Sequence, residues 1–293
     1  MDARIIDELR KVAGIDGVRT DDAVREAAAG DKWFARTLPE AVVFARSTQS
    51  VSGVMKIAAR EKIPVTTRGA GYGYVGGCVP VRGGIALSME RMSRIKEVST
   101  EDFVAVVEPG VITGHLQEAA RRKGLFYPPD PASLKDCSIG GNIATNAGGP
   151  RCLKYGVTRN YVLGLEVVLA DGTVARVGGR THKNKTGFDL VGIFTGSEGM
   201  LGIVTEATLR LLPWPPARAV LSASFPDCRR PRPRCSRFSP TVICRARRKS
   251  PTASRSRRRA SMPGPKRSFR PARRTFSWKS TARTKASKPR QPN

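Results

Sequence analysis

The chain has 293 residues, a formal net charge of +28, and 40% hydrophobic and 6% aromatic residues, so part of it can bury a sizeable core. No apolar run reaches the roughly 18 residues that a membrane-spanning helix needs, and we expect no membrane span. The N-terminus carries Asp2, Asp7 and Glu8 and lacks the apolar segment of a signal peptide, so we expect a cytoplasmic protein.

The N-terminal third predicts alternating helices and strands. Apolar residues at helical spacing predict a helical lead-in over residues 1–38. Apolar or β-branched runs then predict strands at residues 41–44, 63–67 and 85–88. Ser47 can cap a helix between the first two strands. This order makes a βαβ unit, in which at least two strands are parallel.

The following region predicts antiparallel strands. Its elements, in chain order, are a strand at 103–107, a helix at 113–123 stopped by Gly124, loop-rich stretches at 127–131 and 138–150, strands at 162–169 and 173–177 joined by a two-residue hairpin turn at Asp171–Gly172, and a last strand at 203–212. We infer an α+β fold with two lobes, a small α/β lobe at about 39–99 and a larger lobe with an antiparallel sheet at about 100–215.

The first glycine loop, residues 68–77, follows a predicted strand directly, and five of its ten residues are glycine. Successive N–H groups in such a loop can converge on an anion, and Arg68 adds a positive charge. The alternative is a long mobile surface turn. No helical pattern follows the glycines, so the loop is not a Rossmann dinucleotide fingerprint.

Two further segments are rich in glycine. The second glycine segment, residues 138–149, has two glycine pairs, each beside an asparagine, and suits a loop pressed against a flat ligand. An ordinary irregular connection is the weaker alternative, because long glycine loops inside compact domains are usually functional. The third glycine segment, residues 196–202, precedes the last predicted strand and could by itself be a turn.

The motifs from about Pro39 to Leu212 resemble, in order, those of FAD-binding domains of the PCMH or vanillyl-alcohol-oxidase type. Within that group the chain is most similar to the family of the glycolate oxidase FAD-binding subunit and D-lactate dehydrogenase. The motifs are R-G-A-G-x-G at 68–73, V-E-P-G-V at 107–111, Y-P-P-D-P at 127–131, C-S-I-G-G-N at 137–142, N-A-G-G-P-R-C-L-K-Y-G-V-T at 146–158, L-G-L-E-V-V-L-A-D-G at 163–172 and G-S-E-G-M-L-G-I-V-T-E at 196–206.

The resemblance implies that FAD lies between the two lobes. The first glycine loop would surround the pyrophosphate, and the second glycine segment would run along the pyrophosphate and the isoalloxazine. The cofactor-binding residues that the resemblance implies are Arg68, Gly69, Ala70, Gly71, Tyr72, Gly73, Gly76, Gly77, Pro129, Asp130, Ser138, Ile139, Gly140, Gly141, Asn142, Asn146, Ala147, Gly148, Gly149, Tyr155, Gly156, Gly199, Gly202, Ile203 and Val204.

We expect this FAD to be bound non-covalently. Some relatives attach flavin through a histidine or cysteine, but Ala70 stands where that histidine would be. We interpret Cys137 and Cys152 as plain thiols. The loop departs from its relatives at Tyr72 and Val75, where a small hydroxyl residue is usual, so two hydroxyl groups that could solvate phosphate are absent.

The resemblance implies oxidation of a small 2-hydroxy acid, with a hydride passing to the flavin. It also implies that the acid–base group and the metal ligands of many members lie on a C-terminal cap domain. The similarity ends near Pro226, and residues 228–293 contain no Asp, Glu or His. We therefore assign no catalytic residue and predict no metal site in this chain.

Residues 228–293 differ in composition from the rest of the chain. They carry 23 Lys and Arg and no acid, whereas residues 1–227 carry 29 Lys and Arg and 24 Asp and Glu. The sequence predicts an FAD-binding domain at 39–227 and a disordered tail rich in Arg, Pro and Ser at 228–293. We interpret this tail as an out-of-frame reading, because its composition is that of misread GC-rich DNA.

Three hypotheses about function follow. The first is a flavoprotein oxidoreductase of the 2-hydroxy-acid family that keeps only its FAD-binding half. The second is a non-catalytic FAD-binding subunit of a glycolate-oxidase-like complex, in which a partner supplies the cap. The third takes the tail as a nucleic-acid-binding segment, since its charge would bind polyanions non-specifically, although it lacks a regular aromatic pattern.

Overall fold

A computed structural model describes residues 1–217 and two further strands, 219–225 and 274–280. Its helices are α1 Ala3–Ala13, α2 Asp22–Ala28, α3 Thr48–Glu61, α4 Thr113–Arg122, α5 Ile139–Ala144, α6 Cys152–Tyr155 and α7 Leu190–Phe194. Its strands are β1 Val18–Arg19, β2 Ala41–Phe44, β3 Val65–Arg68, β4 Ile85–Ser88, β5 Ile95–Ser99, β6 Val104–Val107, β7 Leu125–Phe126, β8 Val162–Val168, β9 Val174–Gly178, β10 Ile203–Arg210, β11 Leu212–Pro213, β12 Ala219–Phe225 and β13 Arg274–Ser280.

The first sheet has the order β1-β2-β4-β3, and its central strand β4 is parallel to both β2 and β3. The predicted βαβ unit is therefore confirmed. Helix α3 connects β2 to β3 and begins at Ser47, whose side chain accepts a hydrogen bond from the Ser50 N–H at 3.2 Å. Its face with Val51 and Val54 is buried against the sheet, so the amphipathic pattern that predicted the helix is the one that builds this core.

The second sheet has the order β5-β6-β10-β8-β9, and all of its strands are antiparallel. Strand β10 lies in the middle, and its alternating residues are buried from Ile203 to Leu209, as the sequence predicts. Strand β5, at residues 95–99, was not predicted. It pairs with β6, so it joins the second sheet although it precedes the expected lobe boundary at about 99.

Two local predictions were wrong. The stretch 138–150, expected to be a loop, contains α5, and a further helix α6 follows it, because backbone contacts described below override the low helix propensity of glycine. The β8–β9 hairpin is present, but Leu169 N–H donates to Thr173 O, which leaves a three-residue loop instead of two. Gly172 takes a φ of +84° there, the conformation expected at the end of such a loop.

The residues beyond Trp214 form a separate unit and are described by themselves. Strands β12 and β13 pair antiparallel, with Ala219 opposite Ser280 and Phe225 opposite Arg274. The strand at 274–280 lies in the tail for which the sequence predicts disorder; the rest of residues 228–293 lies outside the described residues. No helix in the part of the chain that the structure describes is long and apolar enough to cross a membrane.

Candidate functional site

A cleft of about 810 Å³ is lined by all three glycine-rich segments. Strand β3 of the first sheet and the start of β10 in the second sheet also line it. Of the residues predicted to bind the cofactor, the following line the cleft: Gly69, Ala70, Gly71, Tyr72, Gly73, Gly76, Gly77, Ser138, Gly140, Gly141, Asn142, Ala147, Gly199, Gly202, Ile203 and Val204. The fold therefore brings together segments that are more than 40 residues apart in sequence.

Two glycines of these segments stand in close contacts that leave no room for a side chain. A Cβ atom on Gly69 would lie 2.5 Å from Ser138 Oγ, where the first segment meets the second, and one on Gly140 would lie 2.7 Å from Pro109 Cβ. Real Cβ atoms essentially never show such distances, so a larger residue at either position must displace its neighbour. Gly69 thus lets the first two segments lie close together, and Gly140 lets the second segment pack on Pro109.

The first glycine loop lines the cleft and contains backbone donors that have no acceptor in residues 1–217. Within residues 1–217, no acceptor pairs with the N–H groups of Gly71, Tyr72, Gly73, Tyr74 or Val75. Gly71 and Gly76 have positive φ angles of 70° and 76°, the conformation that turns successive N–H groups toward one side. The loop can therefore bind an anion through its backbone, as the sequence analysis predicts.

The second glycine segment is anchored at both ends by backbone hydrogen bonds. At the start of α5, Ile139 N–H donates to Val111 O and Gly140 N–H donates to Pro109 O, both at 2.8 Å. Ser138 caps the helix by accepting from Gly141 N–H at 3.4 Å. At its end, the Gly196 N–H donates to the Ile143 carbonyl at 2.8 Å, so the third glycine segment is attached to this helix. These bonds satisfy backbone groups that a free loop would leave to solvent.

The side chain of Asn142 faces inward and is held by a buried network. Its Nδ2 donates to Thr113 Oγ1 at 2.7 Å, and this hydroxyl lies 3.2 Å from the Cys137 carbonyl. Asn142 lines the cleft but is only 3% exposed. The protein thus fixes the orientation of the Asn142 amide without a ligand. A group that is already fixed loses less conformational entropy when a ligand binds.

Arg68 is not among the residues that line the cleft, and its predicted role toward a bound anion stays a prediction. Its Nη1 donates to the Gly30 carbonyl at 2.5 Å and lies 3.4 Å from Cys78 Sγ. A Cβ atom on Gly71 would lie 2.3 Å from Arg68 Nη2, so the guanidinium sits directly beneath the loop. The bond from Arg68 to the Gly30 carbonyl therefore joins the start of the loop to the segment before the domain.

Eight other predicted residues also lie outside the lining of this cleft: Pro129, Asp130, Ile139, Asn146, Gly148, Gly149, Tyr155 and Gly156. Several of them join loops to one another. Asp130 Oδ1 accepts from Arg151 N–H at 2.9 Å, and a Cβ atom on Gly149 would lie 2.0 Å from the Asp130 carbonyl. The Tyr155 carbonyl accepts a hydrogen bond from the Tyr161 hydroxyl at 2.6 Å. Their predicted role in binding the cofactor stays a prediction.

The sequence analysis named only part of the cleft lining. Tyr74, Val75, Ala144 and Thr145 lie within the two glycine segments expected at the cofactor but were not named singly. Tyr74, Val75 and Met200 are 66%, 71% and 82% exposed. The lining residues outside those two segments that the sequence analysis did not name are Asp31, Val65, Thr66, Thr67, Cys78, Val79, Val81, Met89, Pro109, Pro131, Ala132, Ser133, Cys137, Phe194, Ser197, Glu198 and Met200. Most belong to strand ends and turns, whose side-chain directions depend on the assembled sheets.

The charges around the cleft do not match a simple basic pocket. Among the described residues that line it, Asp31 and Glu198 are acids and there is no Lys, Arg or His. A diphosphate would therefore be held by backbone N–H groups. Burial raises the pKa of the Cys78 thiol above its usual value, and the nearby Arg68 guanidinium only partly opposes this, so the thiol stays protonated.

The two histidines lie outside the cleft. His115, on α4, lines a neighbouring cavity of about 610 Å³ together with Glu90 and Ser93. The Nε2 atom of His182 lies 2.6 Å from the Asp102 carbonyl on the exposed surface. No group of three or more potential metal ligands converges within the part of the chain that the structure describes.

Comparisons with known proteins relate the described part of the chain to FAD-binding proteins. A family model described as an FAD binding domain matches residues 39–178. Glycolate oxidase subunit GlcD of Bacillus subtilis (strain 168) is 47% identical over 190 residues, which cover 65% of this chain and 40% of that protein. D-lactate dehydrogenase of Archaeoglobus fulgidus is 47% identical over 185 residues, which cover 63% of this chain and 41% of that protein.

A solved structure, an alkyldihydroxyacetonephosphate synthase, superposes with a TM-score of 0.70 at 22% identity and covers 78% of this chain and 44% of its own. At this identity the likeness concerns the fold alone. The chain spans less than half the length of each of these three proteins.

Proposed function

We propose that the chain binds FAD non-covalently in the glycine-lined cleft, as part of a 2-hydroxy-acid oxidoreductase. The premise is that residues 39–178 are an FAD-binding domain homologous to those of glycolate oxidase subunit GlcD and D-lactate dehydrogenases. The observation that carries the proposal is the convergence of all three glycine segments on one cleft. Their free N–H groups and close backbone approaches fit a ligand with a diphosphate and a flat ring system.

In this proposal the residues of the chain bind and orient the cofactor. The N–H groups of Gly71 to Val75 hold the diphosphate, and the oriented amide of Asn142 meets the edge of a ring. When bound, FAD supplies a two-electron acceptor for oxidation of a substrate. Pro129, Asp130 and the residues of 146–156 that lie outside the cleft lining act as supports for the second glycine segment.

The substrate and its acid–base group are proposed from the relatives. Glycolate and D-lactate, which the names of two relatives contain, are both small 2-hydroxy acids. Since the chain spans less than half the length of these relatives, we propose that the group that removes the hydroxyl proton lies in a part that they have and residues 1–227 lack. A partner could supply it, and the word "subunit" in the name of the first relative supports this alternative.

The basic tail is proposed to be an out-of-frame reading of such a part. Residues 228–293 carry 23 Lys and Arg and no acid, a composition unlike that of residues 1–227. Sequencing the coding DNA around codons 226–235 tests the idea. We expect one or two bases gained or lost and a cap-like reading in another frame; no such reading in either alternative frame would refute it.

The cofactor proposal is tested by refolding or expressing the full chain with excess FAD and then precipitating the protein with acid. We expect all flavin in the supernatant, because Ala70 offers no attachment atom. Flavin that stays with the pellet would contradict non-covalent binding, and protein without flavin before precipitation would contradict the site. Glycolate and D-lactate should not reduce the bound flavin under anaerobic conditions, because we propose that the acid–base group lies in a part that the relatives have and residues 1–227 lack.

A further inference from the structure

A short segment before the matched domain contacts the first glycine loop at four points. The Gly30 carbonyl accepts from Arg68 Nη1 at 2.5 Å, and Asp31 Oδ2 accepts from the Gly76 N–H at 3.1 Å. Lys32 N–H donates to the Gly73 carbonyl at 3.0 Å, and its ammonium lies 4.7 Å from the centre of the Tyr72 ring. These contacts reach both the beginning and the end of the loop.

Asp31 is the centre of these contacts. Its second oxygen, Oδ1, accepts from the Trp33 N–H at 2.7 Å, so one carboxylate joins two chain segments. A Cβ atom on Gly73 would lie 2.9 Å from Asp31 Oδ2, which shows how closely the loop backbone passes the carboxylate. Two N–H donors partly neutralise the negative charge that Asp31 brings to the cleft.

The loop needs such support because it forms few bonds of its own. Five successive N–H groups, from Gly71 to Val75, have no acceptor within residues 1–217, and five glycines raise the entropy lost when the loop becomes ordered. If the ligand itself had to order the loop, this entropic cost would be subtracted from its binding free energy. Contacts that order it beforehand therefore increase affinity without touching the ligand.

We propose that residues 30–32 are a clamp that positions the first glycine loop for cofactor binding, with Asp31 as its main positioning residue. The inference rests on the proposed binding of FAD in this cleft. It goes beyond the matched domain, because the clamp precedes residue 39, where the family match begins. The segment thus makes the helical lead-in part of the cofactor site.

The test uses the full chain without cofactor and three variants. Asp31→Ala removes both acceptors, Asp31→Asn keeps one acceptor oxygen, and Glu101→Ala removes an exposed acid from the turn between β5 and β6 as a matched control. Flavin fluorescence titration measures FAD affinity, and hydrogen–deuterium exchange measures the protection of peptides covering the first glycine loop. Chemical unfolding reports whether each variant is folded.

We expect Asp31→Ala to raise the Kd for FAD by about tenfold, the effect of two lost hydrogen bonds, and to speed exchange in the loop while the unfolding midpoint stays near wild type. Asp31→Asn should lie between Asp31→Ala and wild type, and Glu101→Ala should match wild type. Folded Asp31 variants with wild-type affinity for FAD and wild-type exchange in the loop would overturn the clamp. If Asp31→Ala does not fold, the same two measurements on Asp31→Asn test the clamp. Failure of the wild-type chain to bind FAD would instead refute the proposed function, and loop exchange alone would then decide the clamp.

Discussion

The first and second glycine segments have similar compositions but different structures. The first, at 68–77, stays an open loop that residues 30–32 contact from outside. The second, at 138–149, contains a short capped helix whose ends are bonded to residues 109–111 and 196. The comparison shows that glycine content does not itself decide between loop and helix; the backbone partners available in the fold decide it.

The largest effect is expected at the contact between the two segments. Gly69→Val should weaken FAD binding about hundredfold, because its Cβ would lie 2.5 Å from Ser138 Oγ and overpacking costs rise steeply at such distances. Gly179→Val is the matched control, since a Cβ atom there meets nothing within 4 Å. Titration of each variant with FAD measures the difference.

A double variant makes this test sharper. If the clash with the hydroxyl is the cause, Gly69→Ala should bind FAD better when it is combined with Ser138→Ala than when it stands alone. Equal binding by Gly69→Ala and wild type would show that the two segments can separate without cost, and the comparison would then lose its physical basis.

A smaller effect is expected from Ser138→Ala by itself. The Ser138 hydroxyl caps α5 by accepting from the Gly141 N–H and also accepts from the Ala70 N–H, each at 3.4 Å. Loss of a helix N-cap costs about 1 kcal/mol in the free energy of unfolding. Urea unfolding measures it, and Ser93→Ala, at an exposed serine, is the control. If Ser138→Ala leaves the free energy of unfolding unchanged, the backbone hydrogen bonds alone hold the second segment.

A pH-dependent effect is expected for the packed support of the second segment. Burial raises the pKa of Tyr161 to about 12, whereas an exposed tyrosine ionises near about 10. The unfolded chain releases this proton first, so stability is complete below about pH 10 and falls as the pH rises toward about 12. Urea unfolding across this range should show the loss, and Tyr161→Phe should reduce its slope.

Comparing two buried tyrosines should separate the contribution of a hydroxyl hydrogen bond to stability from that of ring burial. Tyr161→Phe removes the bond to the Tyr155 carbonyl and should cost about 1 kcal/mol at neutral pH. The Tyr127 hydroxyl is fully buried and has no hydrogen-bond partner within residues 1–217, so Tyr127→Phe should leave neutral stability unchanged or raise it. Equal losses in both variants would mean that the Tyr155 carbonyl is not a specific anchor of the second segment.

Much of the fold could be predicted from local patterns. The helix after Ser47, the parallel strands around β4 and the alternating strand β10 follow from capping and hydrophobic periodicity within a few residues. Strand β5 was missed because Lys96 and Glu97 interrupt its apolar pattern, and its pairing with β6 arises only in the sheet. Helix α5 was missed because glycine disfavours helices. The hydrogen bonds from its first residues to Val111 and Pro109 stabilise it, but these partners lie about 30 residues away and do not show in the local pattern.

The same division holds for the site. The resemblance of the motifs to those of an FAD-binding family implied a cofactor between the two lobes, and all three glycine segments do line one cleft. Only the tertiary structure decided that Arg68 lies beneath its loop, that Asp130 and Gly149 support the second segment, and that Asp31 reaches the first loop from before the domain. Side-chain direction and long-range partners depend on how the two sheets assemble, and no local pattern encodes that.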